Sequence, residues 1–342
     1  MKLFQVMAGA RYGGAEEFFV RLALAFERTN VDQRVAIRGH PLRKKQLGRG
    51  GVRMDTFSFG RWLDVRTKFG LGNIIQDWRP DIVLTWMSRA SRVCPKSKLG
   101  REFVHVGRLG GYYKLKYFRG CDHLIGNTPG MVDYVCGLGW PAECAHFLPN
   151  FVSERRAAPL DRKILNTPGD APLLLGLGRL HENKGFDVLL DSMAFLPDHW
   201  LWLAGTGPQE AALRSQAARL GIEKRVRFLG WCDDVAPLFS AVNILICPSR
   251  SEPLGNVILE AWAQHVPVIA AASEGLQQLI SDEVNGLLVP TDDAPALARS
   301  IMEITSARAE TLAIAGWASY RESYHEAIVV RRYLDFFNAV AL

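Results

Sequence analysis

The sequence predicts an α/β protein built from two Rossmann-like domains, each a doubly wound parallel sheet, facing a cleft. Three observations carry this. Strand-like apolar runs alternate with helix-like segments along the chain, the pattern that gives parallel sheets. The alternation breaks once, over residues 154–171, where charges, prolines and the turn Pro168-Gly169-Asp170 collect. The 342 residues, 48% hydrophobic, exceed one ordinary domain and supply material for two cores.

In the first half, residues 3–7 read as a buried strand running into a turn at Gly13-Gly14. Residues 15–28 then carry Phe18, Phe19, Leu22, Leu24 and Phe26 at helical spacing. Strands follow at 35–37 and 52–57. A helix through 65–78 stops before Arg79-Pro80, because the residue ahead of a proline resists the helical region. Further strands are expected at 81–86, 103–106, 123–126 and 147–148. Past the break, strands fall at 173–177, 200–204, 226–229, 244–247 and 268–270, with helices at 186–194 and 209–220 between them. A last helix, 318–341, is expected to pack back on the first domain. The domains are therefore 1–155 and 156–317, with 318–342 returning to the first.

The net charge of +6 hides an asymmetry. Residues 1–150 hold 24 lysines and arginines against 12 acidic residues, and the remainder holds 17 against 23. So basic a half is expected to meet something anionic (a membrane surface, a phosphorylated glycolipid or a nucleic acid) unless its cations are merely solvated on helix faces. The cluster Arg43-Lys44-Lys45, with Arg49 and Arg53 nearby, is the candidate contact for anionic headgroups. Cys94, Cys121, Cys136, Cys144, Cys232 and Cys247 include no Cys-x-x-Cys pair and no zinc-like spacing, which predicts reduced, part-buried thiols in a cytoplasmic protein. The opening Met-Lys-Leu-Phe-Gln-Val-Met is too short for a signal peptide. No run approaches the roughly 20 apolar residues of a membrane span, so any membrane contact is expected to be peripheral.

Ligands of open α/β sheets sit at the carboxyl ends of strands, and the informative residues fall there. The strand at 173–177 runs into Gly178-Arg179-Leu180, with Lys184-Gly185 following. An arginine fork and a lysine point charge on one loop can converge on a diphosphate. The next strand ends in Gly205-Thr206-Gly207-Pro208, where a backbone can approach a ligand closely or simply turn. The strand at 226–229 ends at Gly230-Trp231-Cys232, a loop suited to holding a base by backbone contacts. The most informative segment is Glu252-Pro253-Leu254-Gly255-Asn256, followed by Glu260-Ala261. A buried strand feeds this loop, and free amides at the next helix N-terminus form an anion site. Glu260 is expected about two turns into that helix. The two carboxylates then accept hydroxyls at opposite ends of an extended ligand.

With Asn285-Gly286-Leu287-Leu288-Val289-Pro290, Gly13-Gly14-Ala15-Glu16 and Pro149-Asn150-Phe151-Val152, this ordered set resembles the retaining glycosyltransferases of the GT-B fold. The nearest branch is family four, which includes lipopolysaccharide-core, mannosyl and sucrose-synthase-like transferases. The match spans nearly the whole chain, specific over 173–290 and loose over 30–145.

The resemblance implies that the first domain binds the acceptor and the second the nucleotide sugar. Arg179 and Lys184 would bind the diphosphate and stabilise it as it leaves, and Glu252 would hold the donor sugar. Glu260 would hold the ribose. The Leu254, Gly255 and Asn256 amides, with Gly13, Gly14, Gly178, Gly205 and Gly207, would add phosphate or sugar contacts, and Gly230, Trp231 and Cys232 would border the base. No cofactor is implied; a nucleotide-diphosphate sugar of UDP or GDP type is the co-substrate. No metal is implied either, and the sequence holds no Asp-x-Asp motif, so Asp233-Asp234 and Asp292-Asp293 read as caps or surface residues. Many family members carry a loop histidine near the reacting sugar. Here His105 lies inside a strand, as a packed residue or a substrate contact. Arg108 takes the loop place, suited to a phosphate or an acceptor anion. The donor phosphate acts as base if no side chain does. Arg89, Tyr112, Lys114 and Asn127 complete the acceptor candidates. The expected partners are a nucleotide sugar and an anionic glycolipid or saccharide, with peripheral contact at the inner membrane face and no nucleic acid.

A soluble acceptor is the near alternative. An epimerase or a phosphorylase would use a similar cleft, and a sugar-nucleotide-binding scaffold is the non-enzymatic alternative. A nicotinamide dehydrogenase is disfavoured, because no Gly-x-Gly-x-x-Gly follows the first strand.

Overall fold

A computed structural model describes residues 1–10, 13–60, 64–95 and 103–341. The chain divides into two compact units, one of Met1–Phe151 with Glu326–Leu342 and one of Val152–His325. The first boundary thus falls at Phe151, ahead of the polar stretch at 154–171. Residue 342 lies outside the described residues.

In the first unit the elements run β1 (Lys2–Met7), α1 (Gly14–Phe26), β2 (Asp32–Arg38), α2 (Pro41–Arg49), β3 (Met54–Phe57), α3 (Val65–Trp78), β4 (Ile82–Trp86), α4 (Met87–Val93), β5 (Val104–Arg108), β6 (His123–Gly126), α5 (Pro129–Gly137) and β7 (Ala145–Phe147). The sheet is parallel, in the order β3-β2-β1-β4-β5-β6-β7. Leu3 pairs with Ile82 and Met7 with Trp86, so the carboxyl ends of β1 and β4 lie level where the strand order reverses. Every residue of β4 is buried, as a strand covered on both faces requires.

The second unit runs β8 (Leu173–Leu177), α6 (Phe186–Met193), β9 (Trp200–Ala204), α7 (Glu210–Arg219), β10 (Val226–Gly230), α8 (Ala236–Phe239), β11 (Ile244–Cys247), α9 (Asn256–Ala263), β12 (Val268–Ala271), α10 (Glu274–Leu279), β13 (Leu287–Val289), α11 (Ala294–Glu303) and α12 (Ser306–Ser323). Its parallel sheet has the order β10-β9-β8-β11-β12-β13, so the reversal falls between β8 and β11. Two apolar clusters cover its faces, one around Trp202 and Trp262 and the other around Leu189, Leu203 and Ile246.

The single last helix expected at 318–341 is two helices. Residues 318–323 complete α12, which packs on α9, and the chain breaks at Tyr324-His325 before α13 (Glu326–Val340). Only α13 belongs to the first unit. There Tyr333 and Phe337 meet Phe26 of α1 edge-on or tilted, at 6.2 and 6.0 Å between ring centroids. Helix α2, which the strand–helix alternation did not reveal, buries Arg43 and Leu47, four residues apart on one face. Arg43 is 4% exposed, and its Nη2 donates to the Ala10 carbonyl at 2.8 Å, which corrects the basic cluster expected on the surface. Lys44, Lys45, Arg49 and Arg53 do face solvent.

Candidate active site

The reversal between β8 and β11 is the place where an open α/β sheet leaves a crevice at its carboxyl ends. The loop after β8 supplies Arg179 and Lys184, and the loop after β11 supplies Glu252. Lys184 Nζ is ion-paired with Glu252 Oε2. The stem of Lys184 crosses Gly178, and Ser249 Oγ donates to the same carboxylate oxygen at 3.3 Å. Burial works against the lysine's charge, but the Glu252 carboxylate outweighs it, so its pKa lies above the usual lysine value. Lys184 is therefore a fixed cation at neutral pH. An ammonium has three donors, which leaves some for an incoming phosphate while Glu252 keeps its own. Arg179 is exposed on the same loop and makes no ion pair among the described residues.

Neighbouring loops are zipped to this one. Gly178 N donates to Ala204 O and Leu180 N to Thr206 O, each at 3.0 Å, and Gly205 N donates to Gly230 O at 2.7 Å. A Cβ at Gly205 would overlap the Gly178 carbonyl, and one at Gly207 would overlap that of Leu180. The close approach that these glycines permit is thus to the loop carrying Arg179. Trp231 is exposed, with its Nε1 on Asp233 Oδ1 at 2.8 Å, and Cys232 beside it is half-buried.

Helix α9 starts at Asn256, with Gly255 at its N-cap position in the left-handed region at φ 78°, a residue with no side chain of its own to cap the helix. Leu254 is buried in the core, which leaves only its backbone for a ligand. Glu260 lies four residues into the helix, about one turn and not two, because the helix opens at Gly255 and not directly after Glu252. A Cβ at Gly275 would overlap the carbonyls of Glu252 and Pro253, so the start of α10 backs this loop directly.

Sequence reasoning missed three ionic partners. Arg250 forks onto Asp187, with Nη1 on Oδ1 at 2.8 Å and Nη2 on Oδ2 at 2.6 Å, and its Nε reaches Asp292 Oδ1 at 2.6 Å. Asp293 does cap a helix, accepting from Ala296 N at 2.8 Å, but Asp292 is an ion-pair partner. His181 caps its own turn, accepting from Asn183 N at 3.3 Å. All six cysteines are free, and burial raises the Cys247 thiol to about 11, so it carries no nucleophilic role at neutral pH.

In the first unit two candidates are withdrawn. His105 is 1% exposed, with Nδ1 on the Gly120 carbonyl at 2.8 Å and Nε2 on Thr85 Oγ1 at 2.9 Å. Burial lowers its pKa to about 4, so it is a neutral core residue beyond the reach of substrate. Arg108 is also 1% exposed. Its donors go to Tyr333 Oη at 2.9 Å, to Leu109 O at 3.3 Å and to Asn150 Oδ1, and its guanidinium lies 4.6 Å from the ring centroids of Phe18 and Trp86. A guanidinium so enclosed holds the unit together and meets no acceptor. Arg89, Tyr112 and Lys114 are exposed, and Tyr112 stands edge-on to Tyr134 at 5.0 Å. Asn127 is buried, and its Oδ1 has no hydrogen-bond partner among the described residues. Gly13 and Gly14 open α1.

The profile of the family described as "Glycosyl transferases group 1" matches residues 171–307, which contain this site. The lipopolysaccharide core biosynthesis glycosyltransferase LpsE of Rhizobium meliloti is 39% identical over 296 residues, 86% of this chain and 86% of its own. LpsD of the same organism, with the same description, is 32% identical over 345 residues, 99% of this chain and 98% of its own. Among solved structures, Anabaena HepE in complex with UDP-glucose superposes with a TM-score of 0.87 at 21% identity, covering 99% of this chain and all of that one. WaaG, a glycosyltransferase involved in lipopolysaccharide biosynthesis, superposes at 0.70 with 18% identity, covering 98% and 99%. These two likenesses concern the fold alone, and the fold is GT-B. The full-length relatives and the cation–carboxylate pair at the sheet's reversal lead to one conclusion: the chain belongs to the group 1 glycosyl transferases.

Proposed function

We propose that the enzyme moves a sugar from a nucleotide-diphosphate donor to a saccharide of the lipopolysaccharide core or another lipid-linked acceptor, with retention at the anomeric carbon and without a metal. One observation carries the reading: Lys184 and Glu252 are paired at the switch point, on the loops that carry Arg179 and lead into α9. The names of the two full-length relatives support the acceptor class.

In the reaction the bond between the anomeric carbon and the β-phosphate oxygen breaks, and its electron pair leaves with the diphosphate. Arg179, Lys184 and the α9 amides meet the growing negative charge, and positioned charges of this kind account for most of the rate enhancement in such catalysis. Glu252 holds the sugar hydroxyls while the anomeric carbon is cationic. The acceptor hydroxyl attacks from the face the diphosphate vacates, and its proton passes to the departing phosphate oxygen. No side-chain base is required, in keeping with the burial of His105. The exposed basic residues of the first unit, Lys44 and Lys45 among them, hold the enzyme peripherally on anionic lipid.

A thermal-shift panel of UDP-glucose, GDP-mannose and ADP-glucose tests the donor. At about 100 times its dissociation constant, a true donor stabilises by about 2.7 kcal/mol. Release of nucleoside diphosphate should then fall by about 100-fold or more in Lys184→Gln and in Glu252→Ala. Wild-type turnover in both variants would sink the assignment of the site.

A further inference from the structure

We infer that Arg250 is a positioning residue for catalysis, a clamp that sets Lys184 against Glu252; the inference rests on the site assignment above. Among the described residues, the Arg250 side chain makes its hydrogen bonds and ion pairs with Glu182, Asp187 and Asp292, not with that pair. It joins the two segments that carry them. From the loop after β11, its backbone N donates to Asn183 O at 2.9 Å, and Ser251 N donates to the same carbonyl at 3.3 Å. Its Nη1 reaches Glu182 O at 2.8 Å, and the fork onto Asp187 grips the first turn of α6. Lys184 lies between those two anchor points on one segment, and Glu252 lies two residues past Arg250 on the other. Asp292, from the turn before α11, holds Nε and fixes the plane of the fork.

The chemistry explains why an arginine stands here. A guanidinium offers five N–H groups in one plane, and this arrangement uses its Nε, Nη1 and Nη2 in directions that an ammonium cannot match. The clamp is also poorly placed to stabilise the fold. The Asp187 and Asp292 side chains are 44% and 56% exposed, and exposed ion pairs contribute little to stability. What it does secure is register between two loops, and a displacement of about 1 Å at a reacting centre costs on the order of 100-fold in rate.

The test is a cycle of variants in the full-length enzyme, with the panel member that most raises the wild-type Tm as donor. Arg250→Met is expected to lower kcat/KM by about 30- to 100-fold, mainly through kcat, while Tm shifts only slightly. In a Lys184→Gln background the same change should cost less than about 3-fold, because the group it positions is gone. Arg250→Lys, which keeps the charge and loses the fork, should recover only part of the activity. Multiplicative losses in the double variant would overturn the clamp, and so would wild-type turnover in Arg250→Met. If Arg250→Met fails to fold, Arg250→Lys decides: full turnover there overturns the inference, and a kcat loss at unchanged Tm upholds it. Should Lys184→Gln itself be fully active, the site assignment falls first.

Discussion

Arg108 Nε donates to the hydroxyl of Tyr333 at 2.9 Å, joining the end of β5 to a helix 225 residues further along the chain. Both groups are sealed from water, so each depends on the other. Burial raises the tyrosine's pKa, against the opposing pull of the neighbouring guanidinium.

Tyr333→Phe should therefore destabilise the first unit by about 1–3 kcal/mol, the usual penalty for orphaning a buried donor. Arg108→Met should cost more, about 3 kcal/mol or above, because two aromatic faces lose their cation as well. Hydrogen exchange of the β4 and β5 amides under increasing urea reports on this unit. Equal protection in wild type and Tyr333→Phe would contradict the account.

Gly205 stands at φ 137° with the Gly178 carbonyl where a Cβ would be. Gly205→Ala should cost about 2–4 kcal/mol and weaken nucleotide-sugar binding, because the Arg179 loop must move to admit the methyl. Gly137, at the end of α5, has nothing within 4 Å of its would-be Cβ and no positive φ. Gly137→Ala should be neutral or stabilising by up to about 1 kcal/mol. Calorimetry with and without donor separates the two cases, and equal effects would refute the steric argument.

His105 gives the first unit a pH dependence of known sign. Its folded pKa of about 4 lies below the ordinary 6.5, so between those values the unfolded chain binds more protons. The stability it contributes is complete above pH 6.5 and is lost as the pH falls towards 4, by about 3 kcal/mol in all. His105→Leu should remove that component, narrowing the gap between variant and wild type as the pH drops. A constant gap from pH 7 to pH 4 would count against it.

The basic cluster separates into two roles. Arg43 is buried beside the Ala10 carbonyl, so Arg43→Glu should destabilise by about 3 kcal/mol or more. Lys44→Glu and Lys45→Glu should leave the melting curve in place and weaken binding to anionic vesicles by about 5-fold each, at about 1 kcal/mol per lysine. Sedimentation with phosphatidylglycerol vesicles at low and high salt reads this out. Unchanged binding in the lysine variants would remove the cluster from any membrane contact.

Why some of this was legible in the sequence and some was not follows from range. Gly178, Lys184, Gly255 and Glu252 stand in short loops directly after strands, so strand periodicity alone locates them. The start of α9 at Gly255 was legible too, and only the offset of Glu260 was overestimated, because it was counted from Glu252 and not from Gly255. Arg250 escaped notice because its carboxylates lie 63 residues before it and 42 after it, and no spacing rule spans such gaps. Arg43 and Arg108 were misread because arginines are counted as solvated by default. A signal for Arg43 did exist: it shares a helical face with Leu47. Arg108 is enclosed by Phe18, Trp86, Asn150 and Tyr333, residues 42 to 225 positions away or on other elements, and no spacing rule joins them to it.

The returning helix α13 has a consequence for biosynthesis. Residues 152–325 are one uninterrupted stretch with their own cores, whereas the preceding unit lacks Val329, Tyr333, Phe336 and Phe337 until residues 326–337 have been translated. Domains fold as units while the ribosome works, so the half that carries Lys184 and Glu252 is finished first and the earlier-synthesised half waits for its closing segment. A nonsense codon shortly after 325 would leave the half nearest the amino terminus open, with its phenylalanines bared to chaperones and proteases, and would spare the half it directly follows.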